Sequence, residues 1–313
     1  MTAGEGGEAG AGRSQAGRSL QGLACGLAAY GLWGLIPLYF RAVRHVPPLE
    51  MLAHRAAWSL ALLAVVAGIS GQWRKVRDGL RGPKAVLMLG LSTAMLSVNW
   101  LTFIYAVATA QVLQASLGYF ITPLVNVLLG VLVLGERLRL NQKISIGLAA
   151  AGVGVLALAA GVLPWIALVL AASFSLYGLL RKTMPTSGLV GVLIETLAMT
   201  PPAILYLAYA EHAAVATEKD AGTWCLLALS GVVTSVPLLL FVGAARRLQL
   251  STLGILQYLA PTMHFLVAVF VFHEPFSGAQ ISSFLCIWAA VGLYATDSLA
   301  ASRTGWVDVL EPD

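Results

Sequence analysis

AVATAQVLQASLGYFITPLVNVLLGVLVLGERLRLNQKISIGLAAAGVG, residues 106–154, is matched without a gap 138 positions later by AARRLQLSTLGILQYLAPTMHFLVAVFVFHEPFSGAQISSFLCIWAAVG, residues 244–292. Of the 49 aligned pairs 12 are identical, among them Gln111/Gln249, Pro123/Pro261, Glu136/Glu274, Gln142/Gln280 and Ser145/Ser283. Shared apolar composition matches valine with valine by accident, but it does not align Pro, Glu and Gln in one register. The chain therefore carries an internal repeat. Each copy reads as two apolar helices joined by a short turn bearing a glutamate, with a proline halfway along the first helix. A chain built twice from such hairpins has a pseudo-twofold axis, and binding sites in such membrane folds lie on it.

Hydrophobic residues make up 58% of the 313 residues and charged residues 11%, with a mean hydropathy of +0.83. A soluble core of this length has no use for so much apolar surface, so the lipid bilayer is the solvent. A spanning helix takes about 20 apolar residues, so ten consume roughly 200. The runs 20–40, 49–69, 85–107, 112–134, 144–163, 165–180, 189–209, 223–245, 250–272 and 281–299 supply them. They form two sets of five, and Ala28-x4-Trp33-Gly34-Leu35 is echoed by Ala172-x4-Tyr177-Gly178-Leu179. The expected organisation is a Gly-rich disordered tail over 1–17, five-helix repeats over 18–163 and 164–300, and a second tail over 301–313.

An odd number of helices per repeat turns the second copy upside down, and the loop charges agree. With the N-terminus inside, the inner segments hold Arg13, Arg18, Arg74, Lys75, Arg77, Arg81, Lys84, Arg137, Arg139, Lys143, Arg181, Lys182, Arg246, Arg247 and Arg303. The outer loops hold only Arg41, Arg44 and Lys219, and Arg55 lies within a span. Positive residues collect on the cytoplasmic side, so both termini are expected there, in the inner or plasma membrane. The net charge of +5 is loop asymmetry of this kind, and no nucleic-acid partner is implied. Cys25, Cys225 and Cys286 have no ligand-like spacing, so neither a disulfide framework nor a zinc site is predicted.

Candidate functional residues follow from the same register. The fourth span places Tyr119, Pro123 and Asn126 at i, i+4 and i+7, and the ninth places Gln257, Pro261 and His264 at the aligned positions. Proline cannot donate to the carbonyl four residues back, so Pro123 frees that of Tyr119 and Pro261 that of Gln257. In a membrane a freed carbonyl must be met by protein, water or ligand. Two broken helices facing a substrate across the axis are one reading, and two kinked helices hydrogen-bonded to neighbours are the other. His54, Arg55 and Glu195 lie inside spans, where each charge costs about 2.5–3.5 kcal/mol on insertion scales, so they should face the interior and pair with one another. Glu195 is a candidate proton-coupling site with Arg55 or His54 as its partner; a permanent Glu195–Arg55 pair, or a neutral acid hydrogen-bonded across helices, is the structural alternative. Asn99, Trp100, Tyr177 and Tyr258 complete the candidate cavity lining, with an interhelical bond as the plain role of Asn99. Glu136 and Glu274 are expected to cap or close their hairpins.

At these residues the chain resembles the RarD group of the EamA family, in the drug/metabolite transporter superfamily. The resemblance is carried by His54-Arg55-x2-Trp58-Ser59, Asn99-Trp100, Ser116-Leu117-Gly118-Tyr119-Phe120 with Pro123 and Asn126, Gly135-Glu136-Arg137, Tyr177-Gly178-Leu179-x-Arg181-Lys182, Ile194-Glu195-Thr196, and Leu250-Ser251-Thr252-Leu253-Gly254 with Gln257, Tyr258 and Pro261. It implies ten helices in two inverted EamA repeats, all-α and polytopic, acting as an inner-membrane permease. One departure is His264, where the family pattern has a large apolar residue. The expected function is secondary transport of a small amphipathic metabolite or drug-like molecule by alternating access, with protons as the candidate coupling ion and no cofactor. No Walker loop, metal-ligand set or nucleophile constellation is present to support ATP hydrolysis or bond-making. The rival is an intramembrane enzyme or lipid-handling protein using His54, Glu195 and His264.

Overall fold

The structure, a computed structural model, describes residues 5–109, 111–160, 165–212, 219–273 and 277–303. Among these every regular element is an α-helix: α1 (Glu5–Ala42), α2 (Pro48–Ile69), α3 (Trp73–Gly79), α4 (Pro83–Ala108), α5 (Val112–Leu134), α6 (Leu140–Ala160), α7 (Trp165–Thr183), α8 (Gly188–His212), α9 (Ala221–Ala245), α10 (Leu250–Gln257), α11 (Leu259–Phe270) and α12 (Gly278–Arg303). Ten stretches are long and apolar enough to span a bilayer, α10 and α11 together forming the ninth.

Local chemistry sets the ends of these helices. Pro48 and Pro83 occupy first-turn positions, where a missing N–H costs nothing. Gly135 closes α5 in the left-handed region at φ 69°, and the Glu136 amide then donates to the Gly130 carbonyl at 3.0 Å. Asp220 caps α9 by accepting from the Thr223 amide at 2.8 Å, and the bonds from Thr223 hold its carboxyl below the usual range.

Helix α1 begins at Glu5, inside the stretch expected as a Gly-rich tail. Two expectations are corrected. The basic stretch after the second span folds into α3, which buries Val76, and is too short to announce itself by apolar period. The two proline helices are not an unwound pair, since α5 runs unbroken through Pro123. The second copy parts only at Tyr258, where the backbone stays right-handed (φ −62°, ψ −13°) and its amide donates to the Ile255 carbonyl at 3.2 Å, a tightened single turn. The hydroxyls of Thr122 and Thr262 bond the carbonyls of Gly118 and Tyr258 at 2.7 and 2.8 Å, holding each helix together beside its proline. The turn at Glu274 and the tail over 304–313 lie outside the described residues.

The packing exchanges partners between the two repeats. Helix α6 packs on α12, α5 on α7 as α11 packs on α1, and α2 on α9 as α8 packs on α4. Five helices per copy make the related spans run in opposite directions, so the repeats are inverted. The axis passes where α5 crosses α10 and α11: Tyr258 Oη donates to the carbonyl of Phe120, 138 residues away, at 3.3 Å. Here Gly254 is necessary, because a Cβ on it would stand 2.7 Å from the Pro123 carbonyl oxygen and 3.1 Å from Asn126 Cβ. Gly254→Ala is expected to force the helices apart and cost about 1–3 kcal/mol. Gly147→Ala, which meets nothing within 4 Å, should stay within about 0.5 kcal/mol of wild type. Unfolding of the two purified variants in detergent checks the contrast.

Candidate functional site

A cavity of about 140 Å³ lies beside this crossing, with walls from both repeats. Aromatic side chains dominate it: Trp33 and Phe40 from α1, Trp100 and Phe103 from α4, Tyr119 from α5 and Phe174 from α7. The polar lining comprises Arg55, Asn99, Thr122, Thr234, Gln257 and His264 beside the tyrosine hydroxyls of Tyr30 and Tyr119. Helical period explains the convergence, since Gln257, Pro261 and His264 share one face.

Of the two aligned triplets, the structure brings Tyr119, Gln257, Pro261 and His264 to the cavity. Asn126 lies behind Gln257 and donates to its Oε1 at 3.1 Å, both side chains being buried. His264 Nε2 is 2.9 Å from the Trp33 carbonyl, and its ring meets Tyr119 edge-on with centroids 6.1 Å apart. The 138-residue shift carries Asn126 to His264 and Gln257 to Tyr119. The amide bond and the ring contact are therefore equivalent contacts, one from each half. Pro123 and Tyr258 belong to the crossing rather than the wall. Trp100 and Asn99 line the cavity, and Asn99 Nδ2 also donates to the Leu170 carbonyl at 3.0 Å and Ser173 Oγ at 3.1 Å, bolting α4 to α7.

The predicted partnership of Glu195 with Arg55 or His54 is corrected. Arg55 projects into the cavity, where Nε donates to Thr234 Oγ1 at 2.9 Å and the guanidinium lies 4.9 Å from the Trp100 ring centre and 5.8 Å from that of Phe40. His54 stands 3.9 Å from Glu50, a carboxylate that also meets Lys219 at 2.6 Å, and packs edge-on against Trp224. Glu195 instead pairs with Arg181 at 3.6 Å, both side chains fully buried. It accepts further bonds from Ser92 Oγ and, at 3.2 Å, from Tyr177 Oη. Tyr177 thus holds Glu195 and does not line the cavity. The rival reading's three residues, His54, Glu195 and His264, have separate neighbours and form no common centre.

Sequence reasoning placed Arg181 among inner-loop charges because it ends a span. The overlooked signal was spacing: Arg181 follows Tyr177 by four residues, so both sit on one face of α7. Arg181 fits because residue 191 is glycine, where a Cβ would clash with Nη1. The cluster lies one to two turns beyond the cavity, since on α4 the lining stops at Leu96 before Ser92 and on α7 at Phe174 before Tyr177. Phe241 fills the space between, stacked on Tyr177 at 6.1 Å and touching Phe174 at 5.0 Å.

The basic end is closed by a second carboxylate. Glu136 accepts from the amides of Leu250 and Ser251 and from Ser251 Oγ at 2.7 Å, so it caps α10 of the other repeat rather than its own hairpin. Arg139 joins Asp297 at 2.8 Å, tying α12 to the segment before α6. Removing one member of the deeper pair has a predictable cost. Glu195→Ala, which leaves Arg181 buried alone, is expected to lose about 3–5 kcal/mol, and Glu195→Leu combined with Arg181→Met should recover most of it. Denaturant titration in detergent measures both.

Comparison with known proteins agrees with this architecture. Residues 20–158 match the EamA-like transporter family. The chain is similar to Protein RarD of Salmonella typhi, 44% identical over 90% of this chain and 97% of that one. Similarity extends to the uncharacterized transporter YojE of Bacillus subtilis (43%; 87% and 92% covered) and the chloramphenicol-sensitive protein RarD of Pseudomonas aeruginosa (31%; 90% and 96%). A solved crystal structure shares the fold at a TM-score of 0.69 and 20% identity, covering 87% of this chain and 96% of that one. Sustained over nine-tenths of its length, this likeness places the chain in the EamA family of the drug/metabolite transporter superfamily, alongside the RarD proteins.

Proposed function

We propose that the chain is a secondary permease that moves a small amphipathic metabolite or drug-like molecule across the inner or plasma membrane by alternating access. The observation that carries this is the cavity at the crossing of two inverted repeats, lined from both and bounded by equivalent contacts. Two inverted copies give two packings of similar energy, and exchanging them moves the opening from one membrane face to the other. The aromatic lining suits an apolar body, and the convergent polar groups orient it. In this arrangement the Glu195–Arg181 pair, the Phe241 plug and the Glu136 cap form the closed cytoplasmic side.

The orientation rests on loop charge. Single cysteines at 136 and 274, probed in intact cells with a membrane-impermeant thiol reagent, should label at 274 and not at 136; the reverse would invert the assignment.

Coupling is assigned to Glu195. Burial favours the neutral form of a carboxyl and an adjacent guanidinium favours the charged form, so a packing that parts Glu195 from Arg181 makes it take up a proton. Reclosure releases that proton. In proteoliposomes containing this protein alone, a pH gradient should drive concentrative uptake, and Glu195→Gln should keep substrate exchange while losing accumulation. Wild-type accumulation by the variant would remove Glu195 as the coupling site, and wild-type vesicles that move no solute would end the permease reading.

A further inference from the structure

Among the described residues lining the cavity, Arg55 is the one permanently charged side chain, with no Asp, Glu or Lys beside it in the wall. Its recorded partners are all neutral: Thr234 Oγ1 on Nε, and the faces of Trp100 and Phe40 against the guanidinium. The other buried cations differ. Arg181 has Glu195 and Lys219 has Glu50, while Lys182 meets the Leu248 and Ala245 carbonyls at a helix end. A guanidinium carries five donors, and among the described residues Nε alone finds a hydrogen-bond partner, Thr234. An arginine inside a membrane span is costly unless an anion or water meets it. Lining the same cavity are the rings of Trp33, Trp100, Phe103, Tyr119 and Phe174, which present flat apolar faces.

We infer that the transported molecule is an anion: a planar or aromatic body bearing one carboxylate, with the carboxylate received by Arg55 and the body held between the aromatic walls. A carboxylate matches the planar donor fork of arginine as a carbonyl or hydroxyl does not. Thr234 holds Nε, and the guanidinium sits on the cavity wall against Trp100 and Phe40. A cationic solute is repelled by the guanidinium, and a neutral one leaves it without a counter-ion. The inference rests on the permease reading for the word transported; the charge preference of the site stands on the cavity alone.

The test uses three probes with one body and three charges: phenylacetate, phenylacetamide and 2-phenylethylamine. Calorimetric titration of the purified full-length protein at pH 7.5 should show phenylacetate binding about tenfold or more tighter than the amide, with the amine weakest. Arg55→Gln should abolish the preference for the acid over the amide, and Arg55→Lys should retain part of it. Equal binding of acid and amide by the wild type, binding led by the amine, or no saturable binding of any probe would overturn the proposal. So would an undiminished acid preference in Arg55→Gln, and should that variant fail to fold, the wild-type ranking decides alone. Counterflow of the same probes in proteoliposomes separates the two claims. Movement without anion preference ends this inference and leaves the permease, whereas anion binding without movement ends the permease and leaves the site.

Discussion

The close crossing of the two proline-bearing spans is the constraint on which the rest depends. The α5 backbone can lie against α10 only because residue 254 has no side chain and the Pro123 carbonyl occupies the space a Cβ would need. That contact fixes the pseudo-twofold axis between Phe120 and Tyr258 and sets Asn126 against Gln257 and Tyr119 against His264. Inside a bilayer no hydrophobic force pulls helices together, so approach of this kind depends on small residues and interhelical hydrogen bonds. The cavity lies beside this crossing, with walls from both repeats.

Charge is distributed around that cavity in a graded way. Toward the basic end, carboxylates do the joining: Glu195 sits fully buried between Arg181, Ser92 and Tyr177, and Glu136 occupies the positive end of α10. Toward the other end Glu50 gathers Lys219 and His54. In both places a low dielectric makes separation of the partners expensive unless a proton or water replaces one of them. Arg55, between the two regions, is left facing neutral groups. The same low dielectric that makes both pairs firm makes this cation the strongest electrostatic feature of the cavity wall.

The distribution also explains how the two halves diverged. The repeat requires the same backbone path twice, but Tyr119, Gln257, Asn126 and His264 make two chemically different contacts at equivalent positions. One half is held by an amide hydrogen bond and the other by a ring edge, so the two halves share a path and differ in chemistry.

Much of this was legible in the residues alone. The 138-residue register, the ten spans and the inverted order follow from apolar period, loop charge and the aligned prolines, because membrane helices satisfy their backbones internally and are specified by local sequence. The fourth span was read to the residue, and the convergence of Tyr119, Gln257, Pro261 and His264 follows from helical spacing. What only the tertiary structure decided was partnership. Glu195 was seen to need a cation, yet Arg55, His54 and Arg181 were equally basic letters until packing put Arg181 beside it and Arg55 in the cavity. Glu136 capped a helix, as its turn suggested, but one that begins 114 residues away. Spacing along a chain fixes which face of its own helix a side chain occupies; the rotation and pairing of helices, set by contacts such as Gly254 on Pro123, decide what that face meets.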